Sequence, residues 1–453
     1  MITAVRLAWL VARPARTGAA LLLLPLVAFT VVTALLLVVL GGAQSFWRTS
    51  SEYGAVYPFL AAVALSLLVP SLTALGGAAA RLAARRRDDR LATLRLLGAG
   101  TRTVASVAVL EAVAVALAGA LLGVVAALIA SPLIARIPFQ GTELTTSSVI
   151  LAPGWTLLTV LAMVLVAALS AITALRRVNL SPLGVRMRSE APRTPKLLVV
   201  CALAVLLIVV AGMGSVLNLG FVYGAVVAVA LLAGAYAAAI GVVNAVGPWG
   251  LRRIAAIRLR RANSAAALLA VRQILDAPRE AWRAVSGVAM TSMTAVVAGS
   301  AAALLRGAGT AGLEASERAL IHDVVVGVVL TVAISFLMAA CSIGVNQAAS
   351  VLDRAEVNLG LHRLGIDVAT LDGARRAAVR LPLLVAAIGG ALVSGLLTFP
   401  LVGIAVVLAP TTLLAVLGTV AAGVVLVALS LWLTRPLLAA TVRPPGPAAP
   451  RRG

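Results

Sequence analysis

The sequence offers few side chains suited to metal, nucleophilic or phosphate chemistry: two histidines, two cysteines and one lysine among 453 residues. A P-loop needs a lysine directly after its glycine-rich turn, and Lys196 follows Arg193-Thr194-Pro195, so no Walker A motif is expected. His322 and His362 lie far apart in sequence, neither in a Cys/His cluster with metal spacing, and no metal or other cofactor is expected. Cys201 and Cys341 fall inside apolar segments as small hydrophobes, which predicts no disulfide. What remains is charge concentrated at two places. Arg81 to Arg102 holds seven Arg and two Asp; from Arg90 to Leu97 it is built of good helix formers, with Leu91, Leu94 and Leu97 along one face. This predicts a short amphipathic helix, stopped at Gly98, with Thr101 capping an apolar helix from Val104. A second copy spans Asp353 to Arg376, where Leu361, Leu364 and Gly365 fall on Leu94, Leu97 and Gly98 at an offset of 267 residues. Such a segment reads as a cytoplasmic handle between apolar segments.

The elements around these clusters must be membrane helices. With 62% hydrophobic and 11% charged residues, the chain lies outside the composition of soluble domains. Ten apolar segments are long enough to cross about 30 Å of hydrocarbon: 18–41, 56–79, 104–130, 152–175, 197–213, 220–243, 284–305, 322–346, 380–399 and 411–434. With both termini inside, only four of the 37 Lys and Arg residues, Arg48, Arg136, Arg306 and Arg318, occupy outer loops. That asymmetry predicts an N-in, C-in topology, and it assigns the net charge of +22 to orientation and anionic lipid instead of nucleic acid. The first apolar segment is too long for a cleaved signal peptide and is expected to be retained. Arginine far outnumbers lysine, as in a GC-rich bacterial genome, which points to a multi-pass protein of the bacterial plasma membrane.

Order within the spans suggests duplication. Ala270-Val271-Arg272 echoes Ala4-Val5-Arg6, and Gly390-Ala391-Leu392-Val393-Ser394 echoes Gly119-Ala120-Leu121-Leu122-Gly123, a small-xxx-small spacing that lets helix backbones approach closely in lipid. The expected all-α architecture is a four-span repeat over 1–196, two linking spans over 197–247, a second four-span repeat over 248–440 and a disordered cytoplasmic tail over 441–453. Leu251 to Arg261 is expected to lie on the inner interface as a cationic amphipathic helix. Midplane charge is lacking; Glu111, near the inner end of the third span, is assigned to snorkelling or pairing with an Arg, with gating as its second reading. Thr291, Ser292, Thr294, Ser300, Ser66, Ser71 and Thr73 are assigned to helix packing ahead of a substrate path, and Asn244, Asn346 and Gln347 to interhelical hydrogen bonds.

Arg90-Leu91-Ala92-Thr93-Leu94-Arg95-Leu96-Leu97-Gly98-Ala99-Gly100, followed by Val109-Leu110-Glu111-Ala112, resembles the FtsX-like permease domain of ABC transporters. Permeases of that kind, the macrolide-exporter, lipoprotein-release and bacitracin-resistance types, dock the helix between spans two and three into a separate ATPase. The resemblance implies coupling residues Leu91, Leu94, Arg95, Leu97 and Gly98 in one copy and Leu359, Leu361, Arg363, Leu364 and Gly365 in the other. It also implies a permease without its own ATPase site, served by two ATPase copies and exporting a hydrophobic or amphiphilic compound such as a peptide antibiotic, a drug-like metabolite or a lipid. A non-transporting transducer and a secondary carrier are the alternatives. The chain departs from the family pattern at Arg90, where the family has an acidic residue, and in lacking a large extracellular domain. The segment from Ser131 to Ser148, with Phe139, is expected to cap helices.

Overall fold

A computed structural model describes residues 19–48, 56–96, 101–139, 142–143, 145–179, 196–223, 225–307 and 314–399, with isolated residues 418, 421, 425 and 429. Among the described residues the protein is all-helical apart from one small hairpin. Lipid offers backbone groups no partners, so long runs of Ala, Leu and Val must pair their N–H and C=O groups within helices. The helices are α1 (Ala19–Arg48), α2 (Val56–Leu96), α3 (Thr101–Ala135), α4 (Thr146–Val149), α5 (Pro153–Asn179), α6 (Lys196–Tyr223), α7 (Ala225–Leu259), α8 (Ala265–Asp276), α9 (Pro278–Gly307), α10 (Ala315–Asp353), α11 (Ala355–Arg363) and α12 (Val368–Leu397). Between α3 and α4, strands β1 (Pro138–Phe139) and β2 (Thr142–Glu143) pair antiparallel, with Phe139 opposite Thr142.

Six helices among the described residues are long and apolar enough to cross a membrane, and the bent pair Leu60–Val69 and Ser71–Ala79 within α2 makes up to seven. The chain is a multi-pass membrane protein by this measure. Of the ten expected segments, the fifth appears as the shorter apolar helix Val199–Gly212. The tenth segment, residues 1–17 and the 441–453 tail lie outside the described residues, save the isolated helical positions 418, 421, 425 and 429.

Several helices run past the expected span limits. α2 has 41 residues, about 60 Å at 1.5 Å per residue, roughly twice the hydrocarbon thickness. The expected separate helix at Arg90–Leu97 is therefore the far end of α2, because between Gly77 and Leu96 no Gly or Pro interrupts the Ala, Leu and Arg residues. α10, with 39 residues, overhangs likewise. α7 carries the Leu251–Arg261 stretch as its own continuation beyond Pro248, with Leu251 and Ala255 fully buried and Arg252, Arg253 and Arg258 exposed. α8 is amphipathic: Ser264 caps it by accepting from the Ala267 amide at 3.2 Å, Ala270, Val271 and Ile274 are buried, and Arg272 is exposed.

Packing reveals the two halves. α1 packs chiefly on α3 and then α2, while α9 packs chiefly on α12 and then α10. The halves meet where α2 lies along α10, flanked by α9 against α2 and α1 against α10. One core gathers Phe29, Val32, Leu75, Ala116 and Met163 of the first half around Met338 of α10. The other gathers α6, α7, α8, α9 and α12 around Leu251, Ile274, Trp282, Met293 and Leu383. The linking helices thus belong to the second half, and Trp282 is the reason. Its indole donates to the Asn244 side chain at 3.2 Å, and its ring lies so close to Gly247 that a Cβ there would sit 2.1 Å from it.

Candidate functional site

Three features can carry function: the segment between α10 and α12, its counterpart at the end of α2, and the seam between the halves. In the second copy the helix breaks at Arg354, whose φ of −103° and ψ of 10° leave the helical region, and α11 runs to Arg363. Gly365, at φ +93°, ends it: its amide donates to the His362 carbonyl at 3.0 Å and the Ile366 amide to the Leu361 carbonyl at 3.1 Å. That pair of bonds is a Schellman stop, and the left-handed residue within it favours glycine. α11 is a short helix with Val357 60% and Leu364 81% exposed, Leu359 and Leu361 half-buried, and Arg363 and Gly365 exposed. Behind it, the buried Asp372 of α12 accepts from Arg375 at 3.1 Å and from Arg376, pinning the start of α12.

In the first copy Leu91, Leu94 and Arg95 lie on the terminal turns of α2, where the structure describes the backbone but not the side chains. Leu97 and Gly98 fall outside the described residues. Glu111 is half-buried, three turns into α3, and Pro382, its counterpart in α12, is buried, so the halves differ at this point.

At the arginine-poor end of the seam, the Tyr57 hydroxyl of α2 donates to Asp323 Oδ2 of α10 at 2.7 Å. The two residues are 266 positions apart, close to the offset of 267 at which the charged segments recur in the sequence. Tyr57 stacks on Phe46 at 6.0 Å, and Phe46 meets Phe139 edge-on at 5.2 Å. The hairpin therefore clamps α1 as the sequence predicted, with Phe139 6% exposed. Further along, the Ser342 hydroxyl donates to the Ala74 carbonyl at 3.3 Å, again across positions a repeat apart, at 268 residues.

Between these points the seam is threaded by hydroxyls. Thr291 gives its proton to the Gly287 carbonyl at 2.8 Å, which leaves its oxygen to accept from Ser71 at 3.2 Å. Tyr236 of α7 reaches Thr294 at 2.7 Å. Thr291, Ser292, Thr294 and Ser71 are all buried, so the structure places them in helix packing, as it does Asn244. Ser66 is exposed, with its hydroxyl on the Val63 carbonyl at 2.7 Å, and Ser300 turns to the Val296 carbonyl at the same distance. The oxygens of Ser292 and Ser335 are buried without a partner among the described residues. Tyr57, Tyr236 and Gly247 were not singled out by sequence; for Tyr57 the available signal was its spacing from Asp323.

Among the described residues no group of three or more His, Cys, Asp and Glu side chains is placed to hold a metal ion. Residues 78–182, from the arginine cluster of α2 through α5, match the family model described as FtsX-like permease C-terminal, so this part of the chain is similar to that family's permease domain. Comparison with curated proteins and with solved structures returned no match.

Proposed function

We propose that this chain, an FtsX-like permease over residues 78–182, is the membrane subunit of an ATP-driven transporter that exports a hydrophobic or amphiphilic compound. The family is a membrane permease of the ABC type, typically paired with a separate ATPase. The observation that carries the finer reading is the two-fold pairing of the halves around α2 and α10, together with α11 presenting Val357 and Leu364 to solvent at the arginine-rich end. An exposed leucine on a rigid, Schellman-stopped helix is a docking surface, because water gives it nothing to bury against. The corresponding sequence segment at the end of α2 would supply a second contact, which suits two ATPase copies. Their closure would press the ends of α2 and α10 together and tilt the halves about the seam. In this reading Leu91, Leu94, Arg95, Leu97, Gly98, Leu359, Leu361, Arg363, Leu364 and Gly365 form the contact with the ATPases, and Glu111 acts at a gate near the inner end of α3.

The test is purification from the native host of the wild-type chain and of Leu94→Asp, Leu361→Asp and Leu364→Asp, followed by ATPase assay of whatever accompanies them in lipid nanodiscs. Loss of the accompanying ATPase, or of its stimulation by the permease, in all three variants supports the reading. An ATPase that stays bound and coupled in every variant sinks it. ATP-dependent coupling without movement of any amphiphile would favour a transducer.

A further inference from the structure

A cavity opens beside the small-residue contact that holds α1 to α3. At Gly119 and Gly123 the two helices touch closely enough that a Cβ on either glycine would lie under 3 Å from α1. Leu121, Val124, Ala127 and Leu128 of α3 line one wall of the cavity. α5 contributes Val160 and Leu157 to the opposite wall, and α4 closes the arginine-poor end through Val149, whose carbonyl presses on Gly41. The enclosed space is about 400 Å³ and is open on one side. Such a volume falls in the range of ligand sites.

Its lining is almost wholly apolar, and the two hydroxyls present are already engaged. Ser131 donates to the Leu128 carbonyl at 2.8 Å and Thr156 to the Leu151 carbonyl at 3.2 Å. The walls come from the hydrophobic windows of three candidate spans, Pro25–Phe46, Val109–Ala135 and Thr146–Ile172, so the cavity opens at hydrocarbon depth. Water gains nothing there. Just past the cavity residue Ile134 stands Arg136, exposed, one of four basic residues at this end of the sequence's charge pattern. An exposed cation two residues beyond a lining residue of an apolar wedge suits an anionic headgroup joined to an acyl chain.

We infer that this wedge binds one acyl chain of an anionic phospholipid from the surrounding leaflet, with its phosphate at Arg136. The site lies within the first half and is distinct from the seam between the halves. It requires binding only and stands apart from the proposed ATP-driven export.

The full chain is placed in nanodiscs containing phosphatidylglycerol with a diazirine near the acyl terminus, irradiated, and mapped by peptide mass spectrometry. A parallel sample carries the same tail on phosphatidylcholine. Preferential labelling of Val124, Ala127 and Val160 over the exposed Ile129 and Leu133, lost in Ala127→Phe while Ile129 and Leu133 remain labelled, supports the site. Arg136→Glu should bring phosphatidylglycerol labelling down to the phosphatidylcholine level. If Ala127→Phe lowers the melting temperature, Val160→Phe from the opposite wall replaces it. Labelling of the wall no greater than that of Ile129 and Leu133, or unchanged by both substitutions, overturns the inference; equal wall labelling by the two lipids overturns the assignment of Arg136.

Discussion

The hydroxyl of Ser394 on α12 donates to the carbonyl of Met293 on α9 at 3.0 Å, and the same contact exists in the other half without a side chain. There Gly123 of α3 sits against the carbonyl of Thr30 on α1, which a Cβ would approach to 2.8 Å. Gly119 meets the Leu26 carbonyl one turn earlier, as Gly390 meets that of Ala289. Gly123 and Ser394 are 271 residues apart, as are Gly119 and Gly390; Thr30 and Met293 are 263 apart, as are Leu26 and Ala289. Two halves built on one plan hold their first and third helices together by the same close approach.

Gly390→Leu should therefore break the α9–α12 contact, because even its Cβ would lie 2.3 Å from the Ala289 carbonyl. Overpacking of this kind costs about 1–3 kcal/mol or more. Thermal unfolding followed by tryptophan fluorescence should show a clear loss of stability, whereas Gly389→Ala, with open space around it, should change little. Equal behaviour of the two variants would remove the contact from the account.

Tyr57→Phe keeps the stacking on Phe46 but removes the hydroxyl that reaches Asp323. Losing a donor to a buried carboxylate costs about 1–3 kcal/mol. The expected loss should be largely absent when Asp323 is already Asn, so a double-mutant cycle of unfolding midpoints should be non-additive. Additivity would mean the two residues stabilise their helices separately.

Gly247→Ala should loosen α7 from the second half, since the new Cβ would meet the Trp282 ring at 2.1 Å. The ring must move, which weakens its bond to Asn244. Faster hydrogen exchange in both α7 and the first turns of α9 is expected. Exchange confined to α7 would show that Trp282 does not join the two.

Ser335→Ala removes a buried hydroxyl oxygen with no partner among the described residues. Deleting such a group should be neutral or stabilise this arrangement of the seam by up to about 1 kcal/mol. A raised midpoint with slower transport turnover would indicate that the hydroxyl finds its partner in another arrangement. Destabilisation would show that it is already satisfied here.

Gly365→Ala places a side chain at φ +93°, a conformation that costs an L-residue about 1–2 kcal/mol. Hydrogen exchange over Ala355–Ile366 should rise while the rest of α10 and α12 is unchanged. No change at α11 would mean the Schellman stop is not what orders it.

Taken alone, the sequence determined that the chain is helical and membrane-spanning, because only helices satisfy the backbone in lipid and apolar length reports a span directly. It also marked two close helix contacts, since Gly119, Gly123, Gly390 and Ser394 repeat at one offset and small residues permit backbone approach. Gly365 was legible as a helix stop for the same local reason. Tertiary structure decided where helices end and what meets across them. The Arg90–Leu97 segment has the pattern of a short helix, yet nothing local breaks it from α2, whereas Arg354 separates α11 by backbone geometry that its residue type does not announce. Tyr57, Asp323, Tyr236 and Trp282 acquire their roles from partners between 38 and 266 residues away. No periodicity within a single helix encodes such partners, because pairing across the seam depends on how helices distant in sequence pack against each other.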